Sequence, residues 1–254
     1  MEPVISRLGL ESFESLPPHS RQCVYWEVEP ATSVPDDPTG FGEPGPYESE
    51  FDKEAWISAV LLEWGACGQL ATDPGTGVVV GSAFYAPPGR IPRSRHFPTS
   101  PVSADAILLS TIRTEPGYED VATPLLDAVI SDLIRRGVRA IEAFGRVRGA
   151  ETGAEPGDTD LCTWSDEEIV KIASQILDHP QSDLCTQCMM DAAFLKNSGF
   201  DVVSSHPRFP RFRLELDEGL GWKAEVEGAL ENLVVMAAID ISGRERSFSP
   251  IGRA

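Results

Sequence analysis

The chain has 254 residues, of which 41% are hydrophobic and 24% charged, so it is long enough for one or two domains with a buried core. It carries 21 basic and 40 acidic residues, a net charge of −19 at pH 7, and this excess of acid argues against nucleic-acid binding by the molecule as a whole. The acidity is concentrated in residues 27–54 and 151–191, which sum to −8 and −9, whereas the rest of the chain is nearly neutral.

The regular elements are interrupted by two segments rich in acids, prolines and glycines. Residues 30–51 contain five prolines and three glycines, and residues 146–187 have a similar acidic, glycine-rich start. Such segments bury too little apolar surface to offset their ordering entropy, so we interpret both as loop insertions. We expect a single domain over residues 1–239 and a flexible tail over residues 240–254.

Between these segments, apolar periodicity predicts alternating helices and strands. In the helix predicted around Leu125, Thr123 is the expected N-cap, Pro124 the first helical residue and Gly137 the stop. Because this helix lies between two apolar strands, the three elements predict a βαβ unit with parallel strands and a mixed α/β fold. In chain order, the predicted elements are a helix at Glu54–Trp64, strands at Gly77–Tyr85 and Ala106–Arg113, a helix at Thr123–Arg136, a strand at Val138–Phe144, a short helix at Met189–Leu195, a strand pair around Val202 and Phe212, and a helix at Trp222–Val235.

This order of elements, together with several local sequence blocks, resembles the GNAT N-acetyltransferase superfamily and an actinobacterial group within it. The resemblance implies a GNAT-like α/β fold with a mixed sheet, carrying the two acidic insertions. The blocks that carry it are CVYWEV (Cys23–Val28), EAWISAVLLEWGACG (Glu54–Gly68), FYAPPGRIPRSRHFPTSPVSADAILL (Phe84–Leu109), IEAFG (Ile141–Gly145), FLKNSGF (Phe194–Phe200) and HPRFPRFRLEL (His206–Leu216).

The resemblance also implies acetyl-CoA as co-substrate and places its binding residues before and within the helix at Thr123–Arg136. Ile112 and Thr114 would follow the pantetheine arm, and the pyrophosphate would lie at the loop residues Gly117, Tyr118, Ala122 and Thr123. The glycine positions of the usual loop here hold Tyr118, Asp120 and Ala122. Glu119 and Asp120 would repel a pyrophosphate that they faced. Alternatively they point outward, or they cap the helix and take the place of the anion.

Acid–base catalysis would require a carboxylate or histidine near the strands. Glu142 is the first candidate for a general base, followed by Glu63 and Glu115, although a strand carboxylate is often salt-bridged instead. Where the superfamily often has a proton-donating tyrosine, this chain has Leu195, so Tyr118 or Cys188 would have to substitute.

Cys185 and Cys188 have the spacing of half a zinc site or of a redox pair. His179, Cys162 and His206 could supply further ligands, but the chain has no second CxxC motif. We therefore expect a buried structural role for this pair and no bound metal. Arg90, Arg93 and Arg95 form either a phosphate clamp or ion pairs with the acidic segments.

These features together favour an N-acetyltransferase acting on a primary amine of a small molecule or peptide. The alternative is a catalytically degenerate GNAT-like module that recruits a basic partner through its acidic segments. No apolar run approaches the roughly 20 residues of a membrane span, and the five cysteines show no disulfide framework. We expect a cytoplasmic protein that binds neither membrane nor nucleic acid.

Overall fold

The computed structural model describes residues 3–29, 48–148 and 184–216. These residues form a mixed sheet flanked by helices on both faces, which confirms the predicted fold class. The strands are β1 (Val4–Arg7), β2 (Gly68–Thr72), β3 (Val79–Ala86), β4 (Ala106–Thr114), β5 (Ala140–Arg146), β6 (Met190–Asp191), β7 (Asp201–Ser204) and β8 (Arg211–Glu215). The α-helices are α1 (Pro18–Gln22), α2 (Glu50–Trp64), α3 (Ala122–Arg135) and α4 (Ala192–Asn197).

The strand order is β1-β2-β3-β4-β5-β8-β7, with β6 also pairing with β5. The β4–β5 and β5–β6 pairs are parallel and the other pairs are antiparallel. The sequence prediction of a parallel pair connected by a helix is therefore confirmed. In the described parts of the chain, no helix combines the length and apolarity that a membrane crossing requires.

Each face of the sheet has its own apolar core. On one face, α2 buries Trp56, Ile57 and Val60 among side chains that include Phe84 and Phe144. On the other face, α3 buries a stripe against the sheet, as its apolar periodicity predicts. The residues of that stripe are Leu125, Leu126, Val129 and Leu133.

Two predicted helix starts were wrong. Helix α2 begins at Glu50, not Glu54, because Ser49 accepts a hydrogen bond from the Asp52 N–H and acts as N-cap. Glu50 and Phe51 therefore belong to a helix, not to a loop insertion. Helix α3 begins at Ala122 without a side-chain cap, because a 3-10 helix at Glu119–Val121 leads directly into it. Thr123 consequently lies inside the first turn.

The region before α4 also differs from the sequence prediction. Instead of one helix at Met189–Leu195, the chain forms the short strand β6 and then α4, which Asp191 caps through the Ala193 N–H. Arg146, placed in the second insertion, is the last residue of β5. Residues 30–47 and 149–183 of the two insertions, the predicted helix at Trp222–Val235 and the tail at 240–254 lie outside the described residues.

Candidate active site and thiol cluster

The parallel strands β4 and β5 part after a short common stretch. Their register runs only from Ala106 opposite Ala140 to Leu108 opposite Glu142, although both strands continue beyond it. Beside the point of parting, β4 contains a β-bulge. Thr111 lies opposite Phe84 and Leu109 opposite Tyr85, so Ser110 between them has no partner residue on β3. Bulges of this kind often redirect a strand next to a functional site.

A segment of the chain itself crosses the opening between the two strands. Cys188 packs in the core beneath α2, whereas Met190 packs in the core beneath α3, so the chain passes from one face of the sheet to the other. On the β4 side, Thr111 Oγ1 donates a hydrogen bond to the Cys188 carbonyl at 2.6 Å. On the β5 side, Met190 pairs with Gly145. We refer to residues 187–191 as the crossing segment.

In the loop that leads into α3, several backbone N–H groups donate hydrogen bonds to acceptors within the loop itself. Gly117 has a left-handed φ of 89°, and its N–H donates to Glu119 Oε1 at 3.0 Å. The N–H groups of Tyr118 and Val121 donate to carbonyls of the same loop, at 3.0 and 3.1 Å. Hydrogen bonds from the backbone N–H groups of Gly117 and of Glu119 itself lower the pKa of the Glu119 carboxyl. Of the alternatives left open by the sequence, capping of the helix is not observed, because neither the 3-10 helix nor α3 has a side-chain cap; the Glu119 carboxylate instead accepts the Gly117 N–H within the loop.

The residues predicted to bind coenzyme A lie on three consecutive pieces of chain. Ile112 and Thr114 are half-buried at the end of β4, beyond the bulge. Gly117 is exposed in the loop, and the half-buried Tyr118 packs against the core beneath α3. Ala122 and Thr123 form the first turn of that helix. Their role in binding coenzyme A stays a prediction.

Glu142, the first candidate base, is completely buried within an ion-pair cluster. Its carboxylate accepts hydrogen bonds from the Ser103 N–H at 3.2 Å, from Arg213 Nη1 at 3.1 Å and from Arg211. Burial acts to raise the pKa of Glu142, but the hydrogen bonds from Ser103, Arg211 and Arg213 outweigh it and hold the pKa below its ordinary value. This geometry favours the salt-bridged structural alternative over contact with substrate.

The other carboxylates predicted from the sequence lie in separate ion pairs, and Leu195 stands where the superfamily often has a tyrosine. Glu63 lies exposed on α2 and pairs with Arg90, and Glu115 pairs with Arg113 at 3.3 Å. Leu195 is fully buried beneath the sheet. The structure therefore does not bring the predicted base and acid residues together.

The loop that contains the three predicted arginines pairs largely with acidic side chains. Arg90 pairs with Glu63 of α2, and Arg95 lies 3.7 Å from Glu29, which belongs to the first acidic segment. His96 Nε2 lies 2.9 Å from the carboxylate of the same Glu29. The guanidinium of Arg93 stacks over the Tyr25 ring at 4.1 Å. For Arg95, this contact favours the ion pair with an acidic segment over the phosphate clamp, whereas Arg90 pairs with a helix residue outside both acidic segments.

Beside the crossing segment, the structure assembles a cluster of four metal-ligating side chains: His19, Cys23, Cys185 and Cys188. Their ligand atoms all lie within 4.8 Å of one another. His19 Nε2 is 3.2 Å from Cys188 Sγ and 3.5 Å from Cys185 Sγ, and Cys23 Sγ lies 3.3 Å from Cys188 Sγ and 3.8 Å from Cys185 Sγ. We refer to these four residues as the thiol cluster.

The thiol cluster contains both cysteines of the predicted CxxC pair but not the partners considered for them. His206 lies apart, stacked against Phe209, and Cys162 and His179 lie outside the described residues. The sequence reasoning overlooked His19 and Cys23. A spacing of four residues places them one turn apart on a helix, so the pattern His-x3-Cys was the available signal.

Comparisons with known proteins find that the structure of the chain is similar to solved structures of acetyltransferases. No family model matches the chain, and no curated protein matches it. Similar solved structures include the ribosomal-protein-S18-alanine N-acetyltransferase from Escherichia coli (12% identity, 85% of this chain and 94% of that chain covered, TM-score 0.40). They also include an N-acetyltransferase from Staphylococcus aureus Mu50 (11%, 85% and 100%, TM-score 0.42). A third is the PaiA N-acetyltransferase from Thermoplasma acidophilum in complex with coenzyme A (12%, 85% and 99%, TM-score 0.40). At these identities and scores, we transfer no residue role or substrate from these proteins.

Proposed function

We propose that the protein is an N-acetyltransferase that transfers an acetyl group from acetyl-CoA to a primary amine of a small molecule or peptide. The observation that carries the proposal is the parting of β4 and β5 beside the bulge at Ser110. An unpaired strand edge presents backbone N–H and C=O groups, which can bind an amide-bearing arm such as pantetheine by strand addition. This is the arrangement that the resemblance to the GNAT superfamily implies.

In the proposed reaction, the neutral amine attacks the thioester carbonyl directly. A C–N bond forms, the C–S bond breaks, coenzyme A leaves as its thiolate, and the proton released by the amine nitrogen passes to water. Backbone N–H groups of β4 beside the bulge polarise the carbonyl as its oxygen becomes negative. Ile112 and Thr114 position the arm, and Tyr118 is the hydroxyl of the loop that could protonate the thiolate. No covalent intermediate forms on the chain.

The residues present fit acetyl-CoA only in part. The end of β4 suits the pantetheine arm, whereas the carboxylate of Glu119 competes with the pyrophosphate for the Gly117 N–H. Binding therefore requires Glu119 to move away from the loop, and the crossing segment restricts the opening further. We expect the affinity for acetyl-CoA to be low for this reason.

Calorimetric titration with acetyl-CoA tests the proposal. We expect measurable binding that is weakened at least tenfold by Ala122→Glu, which adds a second carboxylate at the start of α3. Ser131→Glu, which adds the same charge at an exposed position further along α3, is the matched control and leaves the affinity unchanged. Mass spectrometry of a panel of amines incubated with acetyl-CoA then detects the acetylated product. The absence of heat at millimolar acetyl-CoA contradicts the proposal.

A second candidate function is a catalytically silent GNAT-like module that binds a basic partner. Two observations favour it: the Glu119 carboxylate accepts the Gly117 N–H, and the crossing segment occupies the opening between β4 and β5. The acidic residues of segments 27–54 and 151–191 would attract a cationic peptide. Salt-sensitive binding of a lysine-rich peptide, without binding of acetyl-CoA, supports this function instead.

A further inference from the structure

Two stretches of chain that are far apart in sequence meet at the thiol cluster. His19 lies on α1 and Cys23 directly follows it, whereas Cys185 and Cys188 precede β6; the contacts between the two pairs span from 162 to 169 residues. Cys23 and Cys188 are buried in the core beneath α2, Cys185 packs against that core, and His19 is half-buried. Convergence of four such side chains from two segments is the usual construction of a metal site in a protein.

The distances agree with a single tetrahedral ion. With Zn–S bonds of about 2.3 Å and Zn–N bonds of about 2.0–2.1 Å, tetrahedral geometry separates sulfurs by about 3.8 Å and nitrogen from sulfur by about 3.6 Å. In the thiol cluster, two of the S–S distances are 3.3 and 3.8 Å, and two of the N–S distances are 3.2 and 3.5 Å. These S–S distances are far longer than a disulfide bond of about 2.05 Å, and all three cysteines of the thiol cluster are free thiols.

Hydrogen bonds to the backbone fix the two chain segments that carry the four ligands. Cys188 N donates to the Cys185 carbonyl at 3.1 Å and closes a turn between the two cysteines. The Cys188 carbonyl accepts a second hydrogen bond, from Trp26 Nε1 at 3.2 Å, in addition to that from Thr111. On the other side, Cys23 N donates to the His19 carbonyl at 2.8 Å. Such outer contacts orient the ligands of established metal sites.

Three sulfurs and an imidazole at these distances form a ligand set that a single divalent cation can share. A divalent metal that accepts thiolate and imidazole ligands would stabilise all three thiolates, and zinc is the ion that most commonly takes this ligand set.

We propose that His19, Cys23, Cys185 and Cys188 bind one structural zinc ion. Four protein ligands complete the tetrahedron, so the ion has no open position for water or substrate and serves the fold, not the chemistry. The ion ties α1 to the start of the crossing segment and so fixes that segment between β4 and β5. This inference does not depend on the proposed acetyl transfer.

Metal analysis of the full-length protein tests the proposal. Protein purified without added metal or chelator contains about one zinc per chain by elemental mass spectrometry, and Cys185→Ser and Cys188→Ser reduce this to below about 0.2. Cys67→Ser, which removes a buried cysteine outside the thiol cluster, retains the metal. His19→Cys also retains it, because four cysteines form an equally good site. Replacement of zinc by cobalt gives the visible absorption of a tetrahedral thiolate complex.

Three outcomes overturn the inference. The first is wild-type protein without stoichiometric metal in which the cysteines titrate as free thiols. The second is a disulfide between Cys23 and Cys188, found by peptide mapping, which assigns the thiol cluster to redox chemistry. The third is metal that persists in both serine variants. The measurement on the wild-type protein decides the question even if a variant does not fold.

Discussion

Polar groups in the loop before α3 find partners close in sequence, whereas those of the thiol cluster find partners far away in sequence. In the loop, the Gly117 N–H finds its acceptor in Glu119, two residues away. In the thiol cluster, His19 and Cys188 are separated by 169 residues. A local contact forms as soon as the turn forms, whereas a distant contact requires the folded domain. We therefore expect changes in long-range clusters to alter stability strongly and changes in the loop to alter mainly binding.

Removal of the metal from the thiol cluster should produce the largest effect. A structural zinc ion contributes its binding free energy to folding, so we expect a chelator to lower the free energy of unfolding by about 3 kcal/mol or more. For a domain of this size, about 3 kcal/mol corresponds to a fall in Tm of roughly 6–12 °C. Hydrogen exchange should increase in residues 184–191 and in α1. The chelator should have no effect on Cys185→Ser, and an equal effect on that variant would contradict the assignment.

Neutralisation of Glu142 should be nearly as damaging. Glu142→Gln leaves Arg211 and Arg213 beside a neutral partner in a buried site, and removal of one member of a buried ion pair costs about 3–5 kcal/mol. Chemical denaturation measures this loss. Glu215→Gln, which changes the exposed partner of Arg213, is the matched control and should cost less than about 1 kcal/mol. If Glu142→Gln has the same free energy of unfolding as the wild type but loses the proposed acetyl transfer, Glu142 acts as the general base.

The same logic predicts the pH dependence of stability. Asp132 is completely buried on α3; burial acts to raise its pKa, but hydrogen bonds from Tyr85 and Arg136 outweigh it and lower the pKa. Glu142 behaves in the same way. Both carboxyls have a lower pKa in the folded than in the unfolded state. Their contribution to the free energy of unfolding is therefore complete above the unfolded pKa values of about 4, and it is lost as the pH falls through the pKa values of the folded state. Denaturation between pH 7 and pH 2 should show this loss, and it should be smaller in Asp132→Asn.

The contrast in distance also explains which features could be predicted from the sequence. The stripe of α3 and the parallel pairing of β4 with β5 follow from apolar periodicity over short windows. The arginine partners of Glu142 lie about 70 residues further along the chain, and His19 lies even further from the CxxC pair. Local patterns such as His-x3-Cys can mark candidate ligands, but they cannot show which distant residues meet. The start of α2 depends on Ser49, a local signal that the acidic composition around it obscured.

In the loop, the expected effect is on binding. Glu119→Gln removes a negative charge and weakens the competition for the Gly117 N–H, so affinity for acetyl-CoA should increase by about tenfold, which corresponds to about 1.4 kcal/mol. Asp120→Asn changes the same charge at the adjacent exposed residue and should increase affinity less, because no contact ties Asp120 to the Gly117 N–H. Equal increases in the two variants would indicate a general charge effect instead of release of the anion site.

The smallest effect is expected at Glu63, the second carboxylate proposed from the sequence. Its side chain is 55% exposed and pairs with Arg90, which is 40% exposed, and exposed pairs of this kind contribute about 0–1 kcal/mol. Glu63→Gln should therefore change neither the free energy of unfolding by more than about 0.5 kcal/mol nor the rate of acetyl transfer. A selective fall in kcat at unchanged stability would show instead that Glu63 reaches the substrate, because a merely exposed ion pair has no route by which to affect the reaction.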